Sequence, residues 1–344
     1  MQFKVSIVGG GNFGTAIAKL LAENVLNLKS YSPEITMWLY EEYINEIPLT
    51  QIINTTHINT KYLPDIHLPT NIRATSDLKE LNDSDILIFV IPHQFVKNII
   101  NQIKGTLKKG VISVSLIKGV IYSNGDIGLI SKYISNTLNI PCGVLMGANI
   151  AIEVAKGYIS EGTLSGVNDK EGIIIRNLFN SNIYRVSIVD DLWGVELCGT
   201  LKNVVSLGYG ICKGMGCGLN TCCAVLRNGL VEICNFYKLL GKGKDCTLFE
   251  SCGISDLMVS CLAGRNFKAG EFIGKKISLE EIKEKMGGQQ LQGPDTAKEI
   301  YEYLKGKGKE KEFPLFTTVY RVCFENELPD AIYCCISPKS ISDQ

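Results

Sequence analysis

No stretch of this chain reaches the roughly 18 to 20 consecutive apolar residues of a membrane-spanning helix, so no membrane partner is expected. Charge of one sign is not in excess either. Lys plus Arg and Asp plus Glu number 35 each, so the totals offer no basic face to draw nucleic acid or anionic lipid, and no nucleic acid partner is expected. Histidine is scarce, with only His57, His67 and His93. No C-x-x-C pair occurs, zinc-ligand spacing is missing, and no metal is expected. The first strand begins by Lys4, which leaves no room for a cleaved leader, and the final Ser-Ile-Ser-Asp-Gln lacks the peroxisomal tripeptide. A cytoplasmic location is the resulting expectation.

Cysteine, by contrast, is plentiful. All 13 cysteines lie at or after Cys142, and the odd number without a leader points to thiols in a reducing compartment rather than a disulfide framework. They read as small core residues. The adjacent pairs Cys222-Cys223 and Cys334-Cys335 are candidates for oxidation.

With 344 residues and 45% hydrophobic residues, the chain has material for about two domains with substantial cores. Up to about residue 188, short apolar segments (35–39, 85–91, 111–115 and 143–146) alternate with helical patterns, which implies a parallel sheet covered on both faces. After Asp190 the segments 191–212, 220–240, 254–262, 294–305 and 314–325 read mainly as helices. Ser278-Leu-Glu-Glu281 has capping-box spacing, and Pro294 suits a first helical position. The charged tract from Lys305 to Glu312 reads as a solvated loop, and no internal repeat is present.

Residues 5–14, Val-Ser-Ile-Val-Gly-Gly-Gly-Asn-Phe-Gly, run an apolar strand into Gly9-x-Gly11-x-x-Gly14 and then into a helix carrying Phe13, Ile17, Leu20 and Leu21 at helical spacing. Gly9 permits a tight turn, Gly11 lets the backbone approach a pyrophosphate, and Gly14 lets helix and strand pack closely. Phosphates then meet the free N–H groups of the helix N-terminus. The fold class expected is therefore α/β: an N-terminal Rossmann-like, mainly parallel domain over 1–189 that binds a dinucleotide, followed by a mainly α-helical domain over 190–344. Glu41 and Glu42 follow the second strand, where an acidic side chain can hold ribose hydroxyls, and no Arg or Lys lies between Tyr40 and Thr60 to receive a ribose phosphate. NAD is expected over NADP. The competing reading places both glutamates in solvent at the next helix N-terminus.

Two residues compete as proton carriers. His93 follows the strand ending at Ile91, in a loop expected to touch the cofactor, but Pro92 can start a helix that leaves His93 packed or facing water. Lys202 is the more unusual residue. Between Leu192 and Cys212 only Glu196 and Lys202 are charged, and Lys202 shares one helical face with Val195, Cys198, Val205 and Tyr209. A desolvated lysine loses preference for its ammonium form, which brings its pKa towards the working pH and suits it to protonate a developing alkoxide. The alternative is a lysine that snorkels to solvent.

An ordered set of motifs spans both halves. It comprises Gly9-Gly-Gly-Asn-Phe-Gly14, Pro92-His-Gln-Phe95, Lys118-Gly119, Gly147-Ala-Asn149-Ile-Ala-Ile-Glu153-Val-Ala155, Glu196-Leu-Cys-Gly-Thr-Leu-Lys202-Asn203, Asp256-Leu, Gly264-Arg265-Asn266 and Leu291-Gln292-Gly-Pro294. In this order and over nearly the whole chain, the set resembles NAD-dependent glycerol-3-phosphate dehydrogenase, particularly its cytosolic eukaryotic form. The resemblance implies interconversion of dihydroxyacetone phosphate plus NADH with sn-glycerol 3-phosphate plus NAD, and a homodimer. It implies a catalytic set of Lys202, Lys118, Asp256 and Asn203, with Lys202 as general acid or base. It places the cofactor on Gly9, Gly11, Asn12, Phe13, Gly14, Tyr40, Phe95, Lys118, Ala151, Arg265 and Gln292. Substrate would meet Lys118, Asn149, Lys202, Asn203, Asp256, Ser260, Arg265 and Asn266, with Arg265 and Asn266 on its phosphate, a pairing that guanidinium and amide chemistry favours. Two positions depart from the family pattern: Ser260 replaces a threonine, and Gln290 replaces a lysine of the eukaryotic form. A related hydroxy-acid or sugar oxidoreductase would lack the combination of Lys202-Asn203 with Gly264-Arg265-Asn266. A non-catalytic NAD(H) sensor could dispense with Lys202 and Asp256.

Overall fold

The computed structural model describes residues 2–286 and 291–336. The chain divides into two compact units, Met1–Ile117 with Leu129–Val195, and Lys118–Gly128 with Glu196–Gln344. Relative to a division at 189/190, the segment Lys118–Gly128 is an excursion into the second unit, and the first turn of the helix that begins at Leu192 stays with the first.

The first unit is built on β1 (Phe3–Val8), β2 (Tyr31–Trp38), β3 (Ile72–Thr75), β4 (Ile86–Phe89), β5 (Ile112–Ser115), β6 (Cys142–Met146), β7 (Ser160–Ser165) and β8 (Tyr184–Ile188). Their order across the sheet is β8-β7-β6-β5-β4-β1-β2-β3. All neighbours pair in parallel except β6 and β7. Central strands such as Ile86-Leu-Ile-Phe89 are buried along their whole length, as expected where both faces are covered. Strand order reverses between β1 and β4, and the crevice beyond the carboxyl ends of these strands is where a doubly wound sheet receives a ligand. Helix α1 (Asn12–Val25) starts there. Its Ile17, Leu20 and Leu21 are sealed in the core, so shortening one of them to Ala would cost about 2–5 kcal/mol.

The sequence did not reveal β3, nor the pair Ile58–Asn59 with Leu63–His67 that follows α2 (Leu49–Thr56). These elements are too short to show a period. In the 3-10 turn His93–Phe95, Pro92 occupies the N-cap position.

The second unit is helical. The first unit also carries α3 (Val96–Ile103), α4 (Ile130–Leu138), α5 (Ala151–Ala155) and α6 (Asp169–Phe179), and the helical part of the second begins within α7 (Leu192–Gly214). It continues with α8 (Leu219–Leu240), α9 (Asp256–Ala263), α10 (Arg265–Gly274), α11 (Leu279–Lys285), α12 (Gln292–Gly306) and α13 (Pro314–Phe324). Ser278 caps α11 by accepting the Glu281 N–H at 3.3 Å. Pro294 is the third residue of α12 rather than its first, because the helix begins at Gln292. The tract after Lys305 holds the end of α12 and a 3-10 turn, Glu310–Glu312, as well as loop. Cys223, Cys246 and Cys334 are exposed, and most other cysteines are buried.

Two helices of this unit cross through glycine. A Cβ on Gly210 of α7 would lie 2.2 Å from the Phe267 carbonyl oxygen, and one on Gly270 of α10 would lie 2.3 Å from that of Leu207. Gly214 and Gly274 repeat the contact one turn on. Backbones can approach this closely only without side chains, and the crossing fixes the start of α10, Arg265-Asn266, relative to Lys202 on α7. The buried Glu232 of α8 accepts the N–H groups of Leu315 at 2.6 Å and Phe316 at 2.9 Å, satisfying orphan donors at the start of α13.

Candidate functional site

The glycine loop leaves β1 at Gly9, whose φ of +131° and a carbonyl 2.4 Å from where its Cβ would stand exclude any side chain. A Cβ on Gly14 would lie 1.9 Å from the Gly9 carbonyl oxygen, so this position is fixed by helix-to-loop packing. Gly11 differs: its Cβ position has nothing within 4 Å. Space on that side is open, as an approaching pyrophosphate requires. Helix α1 has no side-chain cap and no acidic residue in its first turn, and its first helical bond is Thr15 N–H to Gly11 C=O at 2.9 Å. Its leading N–H groups therefore remain available to an anion, which fits a dinucleotide. Sequence reasoning overlooked Gly10, whose Cβ would lie 2.7 Å from that of Leu39 at the end of β2.

Glu41 and Glu42 are both engaged by protein. Glu41 accepts the Thr50 backbone N–H at 3.2 Å and its hydroxyl at 2.6 Å, whereas Glu42 pairs with Lys61 and accepts the Tyr62 hydroxyl at 2.6 Å. Burial pushes the Glu42 carboxyl up, but the hydrogen bonds from Lys61 and Tyr62 outweigh it and hold the group below its usual range. A lysine thus stands one position beyond the Tyr40–Thr60 window. Of the other residues expected on the cofactor, Tyr40 is 78% exposed and Phe95 52% exposed, Phe13 is half-buried in the first turn of α1, and Ala151 opens α5. The Asn12 side chain donates to the Tyr62 carbonyl at 2.7 Å. Asn149 is buried and donates to the Tyr184 hydroxyl at 2.8 Å.

The second unit gathers the remaining residues. Lys202 lies on the face of α7 with Val195, Cys198, Val205 and Tyr209, all buried, and is itself 5% exposed. It does not snorkel. Its Nζ donates to Asp256 Oδ1 and, at 2.7 Å, to Ser260 Oγ, one turn apart on α9. Lys118 Nζ reaches the other oxygen, Asp256 Oδ2, at 3.2 Å, so one buried carboxylate holds two ammonium groups. Burial drives the Lys202 pKa down to about 7; Asp256 opposes the shift and the Lys118 charge reinforces it. Ser260 offers the hydroxyl that a threonine would. Asn203 Oδ1 accepts from Asn266 Nδ2 at 2.9 Å, and Asn266 Oδ1 accepts the Gly293 N–H at 2.9 Å, which ties α7, α10 and the first turn of α12 together beside Gln292. Arg265 is exposed at the start of α10, and no ion-pair partner for it occurs among the described residues. Gln290 lies outside the described residues.

Thr200 belongs to the Glu196–Asn203 motif, but sequence alone attaches no role to it. It is fully buried, accepts the Gly119 N–H at 3.0 Å and contacts the Gly119 carbonyl at 3.1 Å, and so fixes the backbone that carries Lys118. Threonine inside a helix gave no signal, because its hydroxyl more often bonds the preceding turn, as this one does to Glu196 C=O at 2.9 Å.

The family model for the N-terminus of NAD-dependent glycerol-3-phosphate dehydrogenase matches residues 4–172, and that for the C-terminus matches residues 191–333. The chain is 47% identical over 337 residues to the cytoplasmic glycerol-3-phosphate dehydrogenase [NAD(+)] of Bos taurus, covering 96% of this chain and 97% of that one. The enzyme of the same name from Homo sapiens is 46% identical, with 96% and 97% covered. A solved structure of Plasmodium falciparum glycerol-3-phosphate dehydrogenase superposes with a TM-score of 0.93 at 38% identity, over 99% of this chain and 96% of the other. With both halves matched by the family models and relatives of 46–47% identity covering nearly the whole chain, the chain belongs to the NAD-dependent glycerol-3-phosphate dehydrogenase family.

Proposed function

We propose that this family member interconverts dihydroxyacetone phosphate and sn-glycerol 3-phosphate with Lys202 as the general acid and base. NADH, when bound, supplies the hydride that reduces the C2 carbonyl carbon. Residues 1–189 carry the nucleotide and 190–344 the substrate, with Lys118 serving both.

The observation that carries this reading is the burial of Lys202 with Asp256, Ser260 and Lys118. In the reducing direction the Lys202 ammonium donates a proton to the developing C2 alkoxide, and in the oxidising direction its neutral amine accepts that proton. A pKa near 7 keeps both forms populated at neutral pH. Asp256 holds the ammonium in place through one oxygen while its other oxygen fixes Lys118, whose charge stabilises negative charge growing on the substrate oxygen. Arg265, Asn266 and Asn203 receive the substrate, the arginine as a bidentate partner for the remote phosphate dianion. Binding energy gained there orients C2 without touching it.

The names of the bovine and human relatives support a cytoplasmic location, which subcellular fractionation tests. A homodimer follows from the family resemblance and is tested by sedimentation. For the activity, the decisive measurement is loss of NADH absorbance on adding dihydroxyacetone phosphate, with glycerol 3-phosphate formed in equal amount. Turnover of hydroxy acids in its place, or none with this pair, would overturn the assignment.

A further inference from the structure

The short strands Ile58–Asn59 and Leu63–His67 form a strap whose turn lies against the glycine loop. Asn59, at its start, is fully buried. Its side-chain amide donates to the Gly10 carbonyl at 2.9 Å and to Thr15 Oγ1 at 2.8 Å, while its Oδ1 accepts the Tyr62 N–H at 3.2 Å. Thr15 Oγ1 in turn donates to the same Gly10 carbonyl at 3.2 Å. Asn12 closes the arrangement from the loop side by donating to the Tyr62 carbonyl. Both amide hydrogens of Asn59 are used, one on the Gly10 carbonyl of the loop and the other on Thr15 of α1.

The consequence follows from peptide geometry. A trans peptide is planar, so the C=O of one residue and the N–H of the next point in opposite directions. Asn59 and Thr15 hold the Gly10 oxygen inward, which turns the Gly11 N–H outward. No partner for that N–H occurs among the described residues, and the space beside Gly11 is open. Glycine on both sides makes this peptide easy to flip in the absence of such a hold. Gly10 is also pressed against Leu39, which limits its escape on the other side.

We propose that Asn59 is a positioning residue for the dinucleotide: it locks the Gly10–Gly11 peptide so that the Gly11 N–H faces the pyrophosphate, without touching the cofactor itself. The proposal rests on the glycine loop being the nucleotide site. The substitution Asn59→Asp is nearly isosteric but presents a carboxylate oxygen to the Gly10 oxygen. The peptide then gains by flipping its N–H inward, and the Gly10 oxygen is left facing the phosphates.

The test measures NADH affinity of the apoprotein by fluorescence titration, together with steady-state kinetics and thermal unfolding, in wild type, Asn59→Asp and Thr15→Val. Loss of one charge-assisted hydrogen bond and its replacement by a repulsive oxygen should raise the NADH Kd about 10- to 100-fold in Asn59→Asp. KM for NADH should rise with it, while kcat at saturating NADH and KM for dihydroxyacetone phosphate stay within about twofold. Thr15→Val removes one acceptor of the Asn59 amide and one donor to Gly10, and should give a smaller rise in Kd of about 3- to 10-fold. If Asn59→Asp fails to fold, the Thr15→Val result decides. An unchanged Kd in a folded variant, or a fall in kcat and stability without a change in Kd, overturns the proposal. Wild-type protein that fails to bind NADH would instead refute the assignment of the loop as a nucleotide site.

Discussion

Replacing Lys202 with Ala removes the one group that the buried cluster brings near neutral pKa. The wild-type cluster sets the expected pH dependence: with a pKa of about 7, roughly nine-tenths of Lys202 is ammonium at about pH 6 and roughly one-tenth at about pH 8. Reduction consumes the ammonium, so its rate at saturating substrate should fall about tenfold per unit once pH rises past the pKa. Oxidation needs the neutral amine and should show the opposite slope, falling as pH drops below the pKa. In Lys202→Ala the slopes due to this group disappear and kcat drops by about 10²–10⁴, the span of general acid–base catalysis. Asp256 keeps Lys118 as a partner at 3.2 Å, so the variant does not strand a buried carboxylate and should fold. The assay is NADH absorbance with dihydroxyacetone phosphate in one direction and glycerol 3-phosphate in the other, over pH 5.5 to 9, roughly three units around the pKa, with NADH binding checked separately. Turnover in Lys202→Ala within about tenfold of wild type, with His93→Ala causing the larger loss, would refute the reasoning and move proton transfer to the histidine.

Three further outcomes are expected. Gly11→Val should leave thermal stability nearly unchanged, because its Cβ meets nothing within 4 Å, yet weaken NADH binding; Gly14→Ala, with a Cβ 1.9 Å from a carbonyl oxygen, should unfold the loop and lower the melting temperature. Arg265→Ala should lower kcat/KM for dihydroxyacetone phosphate by about 10²-fold or more while leaving that for unphosphorylated dihydroxyacetone within about threefold, since the lost charge serves the remote dianion; equal losses with both substrates would exclude a phosphate-specific role. Glu232→Ala should cost about 2–4 kcal/mol in denaturant unfolding, because two buried N–H groups at the start of α13 lose their acceptor, and an unchanged midpoint would show that water replaces it.

Much of this protein is already set by local sequence. Continuous apolar runs such as Ile86–Phe89 specify buried parallel strands because no alternation marks a solvent face, and the spacing Gly9-x-Gly11-x-x-Gly14 specifies the strand-to-helix turn because only glycine tolerates the backbone and contacts at Gly9 and Gly14, while Gly11 leaves open space for a phosphate. Helices α7 and α8 follow from long patterns of helical period, and the ordered motifs across both halves specify the family. Tertiary structure decided what spacing cannot encode. Whether Lys202 snorkels or stays buried depends on Asp256 and Ser260, more than 50 positions away, and the same carboxylate's second partner, Lys118, arrives on a segment that crosses into the other unit. Glu41 and Glu42 read as free carboxylates until Thr50, Lys61 and Tyr62 were brought to them. The hold of Asn59 on Gly10 has no sequence signature, because a buried asparagine and a turn asparagine look alike until the backbone they bond is known. Local sequence fixes what each segment can become; burial and the long-range pairing of charges and amides determine which side chains acquire a perturbed proton or a fixed direction.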